Sequence, residues 1–193
     1  KSYNPRKLLA EASDNFYKKK PKNIIAITGT NGKTSVANFY YQILTLNNKK
    51  SAAIGTLGVL SKKFNLKTNN TSIDPVNIHK ILKKLKELKI DNVILEASSH
   101  GLDQKRLDYL KFKCGIFTNL SHDHLDYHKN LSSYFKSKLY LFQNLLPKGS
   151  KIISDSEIKQ ISILRKIAKK RKLKVLTVGF EAKSTIKIKE IQT

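Results

Sequence analysis

The run Ile24-Ile25-Ala26-Ile27-Thr28-Gly29-Thr30-Asn31-Gly32-Lys33-Thr34-Ser35 constrains this chain more than any other stretch. A short apolar segment rich in β-branched residues reads as a buried strand, and Val36, Phe39, Tyr40, Ile43 and Leu44 then recur with helical period. Between them, two glycines and a lysine must turn the chain. Gly29 and Gly32 let the backbone bend sharply and approach a ligand. The first amides of the following helix have no internal partners, and its dipole favours an anion. Strand, glycine loop and helix in this order make a phosphate cradle built from Gly29, Thr30, Asn31, Gly32, Lys33, Thr34 and Ser35. Lys33 is placed to meet the β- and γ-phosphates of a nucleotide, and the Thr34 hydroxyl a bound magnesium ion.

Downstream, strand and helix patterns alternate. Ala52 to Thr56 reads as a strand, 57–66 as a small hairpin, and Asp74-Pro75 as the cap and first position of a helix with an apolar stripe at Ile78, Ile81, Leu82, Leu85 and Leu88. Strands are expected at 92–97, 113–118, 152–153 and 173–178, helices at 131–146 and 157–170, and an edge strand at 185–191. Such alternation implies an α/β fold, a mostly parallel central sheet with helices on both faces. Ligands bind such sheets beyond the carboxyl ends of the strands, so the loops after Thr28, Thr56, Ala97 and Thr118 should converge.

A length of 193 residues suits one domain. Residues 1–21 read as a basic linker with a short helical pattern around Leu8, Leu9 and Phe16, leading from an absent upstream domain, and residues 22–193 as the domain itself. A chain that begins at Lys1 and holds no methionine is expected to be part of a longer protein. The formal charge of +24 invites a nucleic-acid or membrane reading. Against it, lysine outnumbers arginine 34 to four and is spread along the whole length, without the aromatic interleaving that stacks bases. No apolar run is long enough to span a bilayer, and the single cysteine, Cys114, reads as a small buried hydrophobe. The expected location is the cytoplasm and the expected state a monomer.

Three further stretches carry chemistry. Glu96 ends a strand near the phosphate loop, where a carboxylate can hold magnesium, although a strand-end glutamate is also an ordinary surface residue. It is followed by Ser98-Ser99-His100-Gly101-Leu102-Asp103-Gln104-Lys105-Arg106. The stretch Phe117 to His128 is rich in histidine and aspartate, yet no cysteine or fourth ligand stands at a spacing that would make His122, His124 and His128 a zinc site. On the helix from Leu131, Lys138 interrupts the stripe of Leu131, Phe135, Phe142 and Leu145. Its stem can pack while its ammonium reaches solvent, or burial can depress its pKa and free a neutral amine.

Gly-Thr-Asn-Gly-Lys-Thr-Ser, with only two residues between its glycines, resembles the short phosphate loop of the Mur ligase superfamily. Ser-Ser-His-Gly-Leu with Gln104 and Arg106, the stretch Thr118-Asn119-Leu120…Asp123-His124-Leu125-Asp126-Tyr127-His128, and the segment around Lys138 resemble further motifs of these ligases in the same order. The resemblance runs from about Lys22 through Phe142. It implies the central ATP-binding domain of a ligase that joins a diamino acid to UDP-N-acetylmuramoyl-alanyl-glutamate, using ATP and Mg2+ through an acyl phosphate. It implies Lys33, Glu96, His124 and carbamylated Lys138 as catalytic, and Thr34, Glu96, His124 and Lys138 as metal-binding. Asn70, Thr71, Ser72, Ser98, Gln104 and Arg106 would contact the muramoyl dipeptide. His122 stands where the family more often has arginine. A folylpolyglutamate synthase-like ligase is the alternative inside the superfamily, and a non-catalytic basic nucleotide- or nucleic-acid-binding module the alternative outside it. On the same resemblance a separate downstream domain selects the amino acid, so this piece by itself should turn over poorly or not at all.

Overall fold

A computed structural model describes residues 4–68 and 71–190. The chain opens with helix α1 (Pro5–Phe16), capped by the Asn4 side chain, which accepts from the Lys7 amide at 3.1 Å. Ala10 and Ser13 of α1 are buried, and the helix packs on α3 (Pro75–Glu87), so the leading segment is docked rather than free. Strand β1 (Asn23–Thr28) feeds the glycine loop and helix α2 (Lys33–Leu46).

Eight strands form one sheet in the order β3-β2-β4-β1-β5-β6-β7-β8. They are β2 (Ser51–Gly55), β3 (Gly58–Ser61), β4 (Asn92–Glu96), β5 (Cys114–Phe117), β6 (Lys151–Asp155), β7 (Lys174–Gly179) and β8 (Ile186–Lys187). Every pairing is parallel except β2 with β3. Strand β1 lies between β4 and β5, with Ile27 opposite Glu96 and Thr28 opposite Phe117, which sets the glycine loop between the loops that follow β4 and β5.

Alternate residues of β1 face opposite layers, as a pleated strand requires. Ile24 and Ala26 join Val93, Leu95, Phe117 and Ile152 in a large core with α3, α4 (Leu131–Tyr140) and α5 (Ile161–Arg171). Ile27, Ala53 and Ile94 meet Ala37 of α2 on the other face. That second layer is thin, and α2 leaves Phe39, Ile43 and Leu46 exposed on its outer side.

Several boundaries differ from the sequence reading for physical reasons. The expected hairpin at 57–66 is reduced to a single bridge between Val59 and Leu66, because β3 takes its ladder from β2. The helix after Leu131 widens into a π turn over Leu141–Leu145, and the adjacent Leu141 and Phe142 are both fully buried there. Helix α5 begins at Ile161 rather than Glu157. Asp155 accepts from the Glu157 amide and Glu157 accepts from the Phe180 amide, which fixes the intervening turn against the end of β7. The last strand is shorter than expected, held beside β7 by the exchange of amide and hydroxyl between Thr177 and Thr185. Cys114 is buried as anticipated, and burial pushes its thiol up to about 11. Among the described residues, no helix is long and apolar enough to cross a membrane.

Candidate nucleotide and metal site

The loops after β1, β2, β4 and β5 meet at the carboxyl end of the sheet. The glycine loop is zipped to the loop after β5. Asn119 accepts from the Thr30 amide through its carbonyl at 3.0 Å and from the Asn31 amide through its side chain at 2.9 Å. Thr118 donates its hydroxyl to the Asn31 carbonyl at 2.7 Å. Gly29 sits at φ +148°, where a Cβ would fall 1.8 Å from the Thr118 hydroxyl, so only glycine fits this crossing. Gly32, at φ +82°, supplies the left-handed turn into α2.

The amides of Thr30 and Asn31 are thus committed inside the protein, while those of Lys33, Thr34 and Ser35 have no partner within the helix they begin. Thr30 is also spent structurally: its hydroxyl donates to the Ser121 carbonyl and accepts from the Ser121 amide and the Tyr134 hydroxyl. Lys33 bends back over the loop and donates to the carbonyls of Gly29 and Thr30 at 3.0 and 2.7 Å. Burial lowers its pKa, against the opposing pull of Glu96 and Asp123.

Glu96 is only 2% exposed at the end of β4. Its Oε2 accepts from the hydroxyls of Thr34 (3.0 Å) and Thr56 (3.2 Å), and its Oε1 accepts from the Thr56 amide (3.0 Å). Among the described residues no cation forms an ion pair with it within 4 Å. A buried carboxylate beside a hydroxyl whose proton is already donated is a set of hard oxygen donors that fits a divalent cation such as magnesium. Gly55 makes room for it, since a Cβ there would lie 2.1 Å from Glu96 Oε1. Gly55→Ala is expected to displace the carboxylate and destabilise the fold by about 1–3 kcal/mol, measured by urea denaturation.

Lys138 is 1% exposed, so the solvent-reaching alternative does not hold in this structure. Its Nζ donates to the Gly29 carbonyl at 2.7 Å, the oxygen that Lys33 also uses, and lies 4.2 Å above the Tyr134 ring. Burial first, and then the charge of Lys33, lower its pKa to about 7. His124 stands elsewhere, at φ 51° ahead of a short helical turn (Leu125–His128), with its Nε2 3.4 Å from Asp123. Its ring packs edge-on against His100 (4.9 Å) and Tyr134 (6.2 Å), and His100 also touches Tyr127 and His128. Burial followed by neighbouring imidazoles lowers the pKa of both His100 and His128. Among the described residues, no three His, Cys, Asp or Glu side chains converge as a metal site. Of the four metal-binding candidates, Thr34 and Glu96 are joined directly by a hydrogen bond, whereas His124 and Lys138 meet at the Tyr134 ring beside the glycine loop.

The substrate candidates divide as well. Asn70 lies outside the described residues. Thr71 shares a 3.0 Å hydrogen bond with Thr56. Ser72 is buried, donates to the Glu96 carbonyl and accepts from the Ser98 amide, so its side chain ties loops together. Ser98 caps the short helix Ser99–Asp103. Arg106 donates from Nε and Nη2 to the Gln104 amide oxygen and from Nη1 to the Ser72 carbonyl. Gln104 in turn donates to Tyr127, which donates to Asp103. Sequence reasoning missed Thr56, Asn119 and Tyr134. Asn119 lay inside a quoted motif, and Tyr134 stands one helical turn before Lys138, but neither had a visible partner.

The family model for the Mur ligase middle domain matches residues 27–193. A UDP-N-acetylmuramoyl-L-alanyl-D-glutamate--2,6-diaminopimelate ligase of Chelativorans sp. (strain BNC1) is 43% identical over 175 residues, covering 91% of this chain and 36% of that protein. A solved structure of a ligase of the same name aligns with a TM-score of 0.77 at 29% identity, over 91% of this chain and 36% of the other. Mycobacterium tuberculosis folylpolyglutamate synthase, solved with ADP and AMPPCP, shares the fold alone, at a TM-score of 0.69 and 13% identity over 89% and 47% of the two chains. The chain spans about a third of the length of the curated relative it matches. On the glycine loop, the sheet order and these matches together, the chain belongs to the Mur ligase family, whose middle domain it carries.

Proposed function

We propose that this domain is the ATP-binding centre of a ligase that adds 2,6-diaminopimelate to UDP-N-acetylmuramoyl-L-alanyl-D-glutamate, with ATP as co-substrate and through an acyl phosphate. The observation that carries the reading is the buried Glu96 carboxylate held by Thr34 at the mouth of the glycine loop, beside Lys33. Identity of 43% to a ligase of that name, together with the resemblance of the Ser98–Arg106 segment to these ligases, favours it over folate substrates.

In this reading the free amides of Lys33, Thr34 and Ser35 and the Lys33 ammonium bind the phosphates, and Thr34 and Glu96 hold magnesium. Magnesium, when bound, neutralises charge on the transferring phosphoryl group and orients it. Lys138 is suited to modification: its neutral amine adds carbon dioxide, forming an N–C bond and releasing one proton, and the product is an anion in place of a cation. That carbamate and His124 are the further metal-binding candidates. Arg106 and Gln104 exchange their mutual bonds for a substrate carboxylate, to which a guanidinium can donate two parallel bonds.

The test is a coupled assay of the full-length ligase containing this domain. ATP hydrolysis to ADP and phosphate is expected only when the UDP-linked dipeptide and diaminopimelate are both present, with one phosphate released per tripeptide. Equal turnover with lysine in place of diaminopimelate would overturn the amino-acid assignment, and turnover with a folate the whole reading.

A further inference from the structure

We infer that Thr56, at the turn after β2, is a positioning residue that aims Glu96 at the metal and couples it to the Thr71 segment. The inference rests on reading Thr34 and Glu96 as the metal pair. Two of the three hydrogen bonds to the Glu96 carboxylate come from Thr56: its amide holds Oε1 at 3.0 Å and its hydroxyl holds Oε2 at 3.2 Å. The third comes from Thr34, also on Oε2. Thr56 therefore grips both oxygens and fixes the plane of the carboxylate, whereas Thr34 fixes only one corner.

The direction of the network follows from proton counting. A hydroxyl has one proton to give, and a carboxylate only accepts. The Thr56 proton goes to Glu96, so in the 3.0 Å pair with Thr71 the proton must come from Thr71. The wire runs Thr71 to Thr56 to Glu96. Thr71 is then left with lone pairs alone, and any ligand group it meets must be an N–H or O–H donor or a cation. Movement of the 71–72 segment onto a ligand thus reaches the metal carboxylate through one side chain. Ser72 donates to the Glu96 carbonyl in parallel, from the same segment to the same residue's backbone. Groups that orient a metal ligand in this way change metal affinity about 10- to 100-fold when removed.

Thr56 is exposed, so its hydroxyl can be deleted without opening the core. The experiment is calorimetric titration of magnesium into this chain in the presence of a non-hydrolysable ATP analogue, with the magnesium-free affinity for the analogue measured alongside. Thr56→Val is expected to raise the magnesium midpoint about tenfold and leave the magnesium-free affinity unchanged. Thr56→Ser, which keeps the hydroxyl, is expected to restore the midpoint. Thr71→Val removes the far end of the wire and provides a second reading should Thr56→Val fold poorly; its expected shift is about fivefold. A midpoint unchanged in Thr56→Val, or a shift that serine does not rescue, or an equal loss without magnesium, would overturn the positioning role. If the wild-type chain binds the analogue without regard to magnesium, the metal-pair reading itself fails, and the inference with it.

Discussion

Replacing Lys33 by alanine is expected to weaken magnesium-dependent binding of a non-hydrolysable ATP analogue by about 10- to 100-fold, the worth of a hydrogen bond to a charged group. In this structure the ammonium rests on two neutral carbonyls, Gly29 and Thr30. A phosphate oxygen offers a charged acceptor in their place, so binding exchanges neutral bonds for charge-assisted ones. The amides of Lys33, Thr34 and Ser35 remain in the variant, which is why residual binding should survive rather than vanish. Calorimetry at about 0.15 M salt separates this from the general attraction of a chain carrying +24 charges. Affinity that ignores both magnesium and Lys33 would mean that net charge alone recruits the nucleotide.

Lys138→Met is expected to make the fold more stable at neutral pH while disabling the ligase. A lysine with a pKa of about 7 in the folded state, against 10.5 in the unfolded chain, favours unfolding wherever the unfolded chain holds the extra proton. At pH above 10.5 the group contributes nothing. As pH falls from 10.5 toward 7 the unfolded chain takes up the proton first and stability is lost, and below 7 the cost is constant. At one pKa unit per 1.36 kcal/mol, the wild-type fold should gain about 2–3 kcal/mol from this group between pH 7 and 9. The slope belongs to the unmodified amine, so urea denaturation across that range in buffer freed of carbon dioxide should show it in wild type and its loss in Lys138→Met. The full-length ligase with the same substitution should lose activity by at least about 100-fold, the scale of removing one electrostatic catalytic group. An unaltered slope would show that Lys138 is not the titrating group, and an active ligase that its amine is dispensable. A buried amine retained against such a stability cost is the pattern of a site kept for chemistry.

The order of strands and helices was legible because each element carried its own period. The stripe Ile78, Ile81, Leu82 and Leu85 and the Asp74-Pro75 start appear in the structure as an α-helix capped by the Asp74 side chain. The glycine loop, Glu96 at a strand end and a lysine in an apolar stripe were visible for the same reason: a chemical type stood out against a regular background. What sequence could not reveal were pairings across long separations. Asn119 looks like any loop asparagine until it closes on Thr30 and Asn31, and Thr56 like a turn residue until it meets Glu96, 40 positions later. Nor does periodicity show that Ser72 is spent on loop packing, or that Arg106 rests on Gln104. Polar side chains choose partners by geometry rather than by type, so their roles emerge only once the sheet has set the loops beside one another.

The central position of β1 has a consequence for how the molecule is made. Its register partners begin at Asn92 on one side and Cys114 on the other, so the first neighbour becomes available only at the middle of the chain and the second later still. The glycine loop is complete only when Asn119 and then Lys138 arrive. Long-range parallel pairing of this kind is slow, because loop-closure entropy must be met before the contacts return it. A nascent chain therefore carries the glycine-loop sequence well before it carries the folded loop, and nucleotide affinity that depends on that loop should switch on late and together with the sheet as a whole.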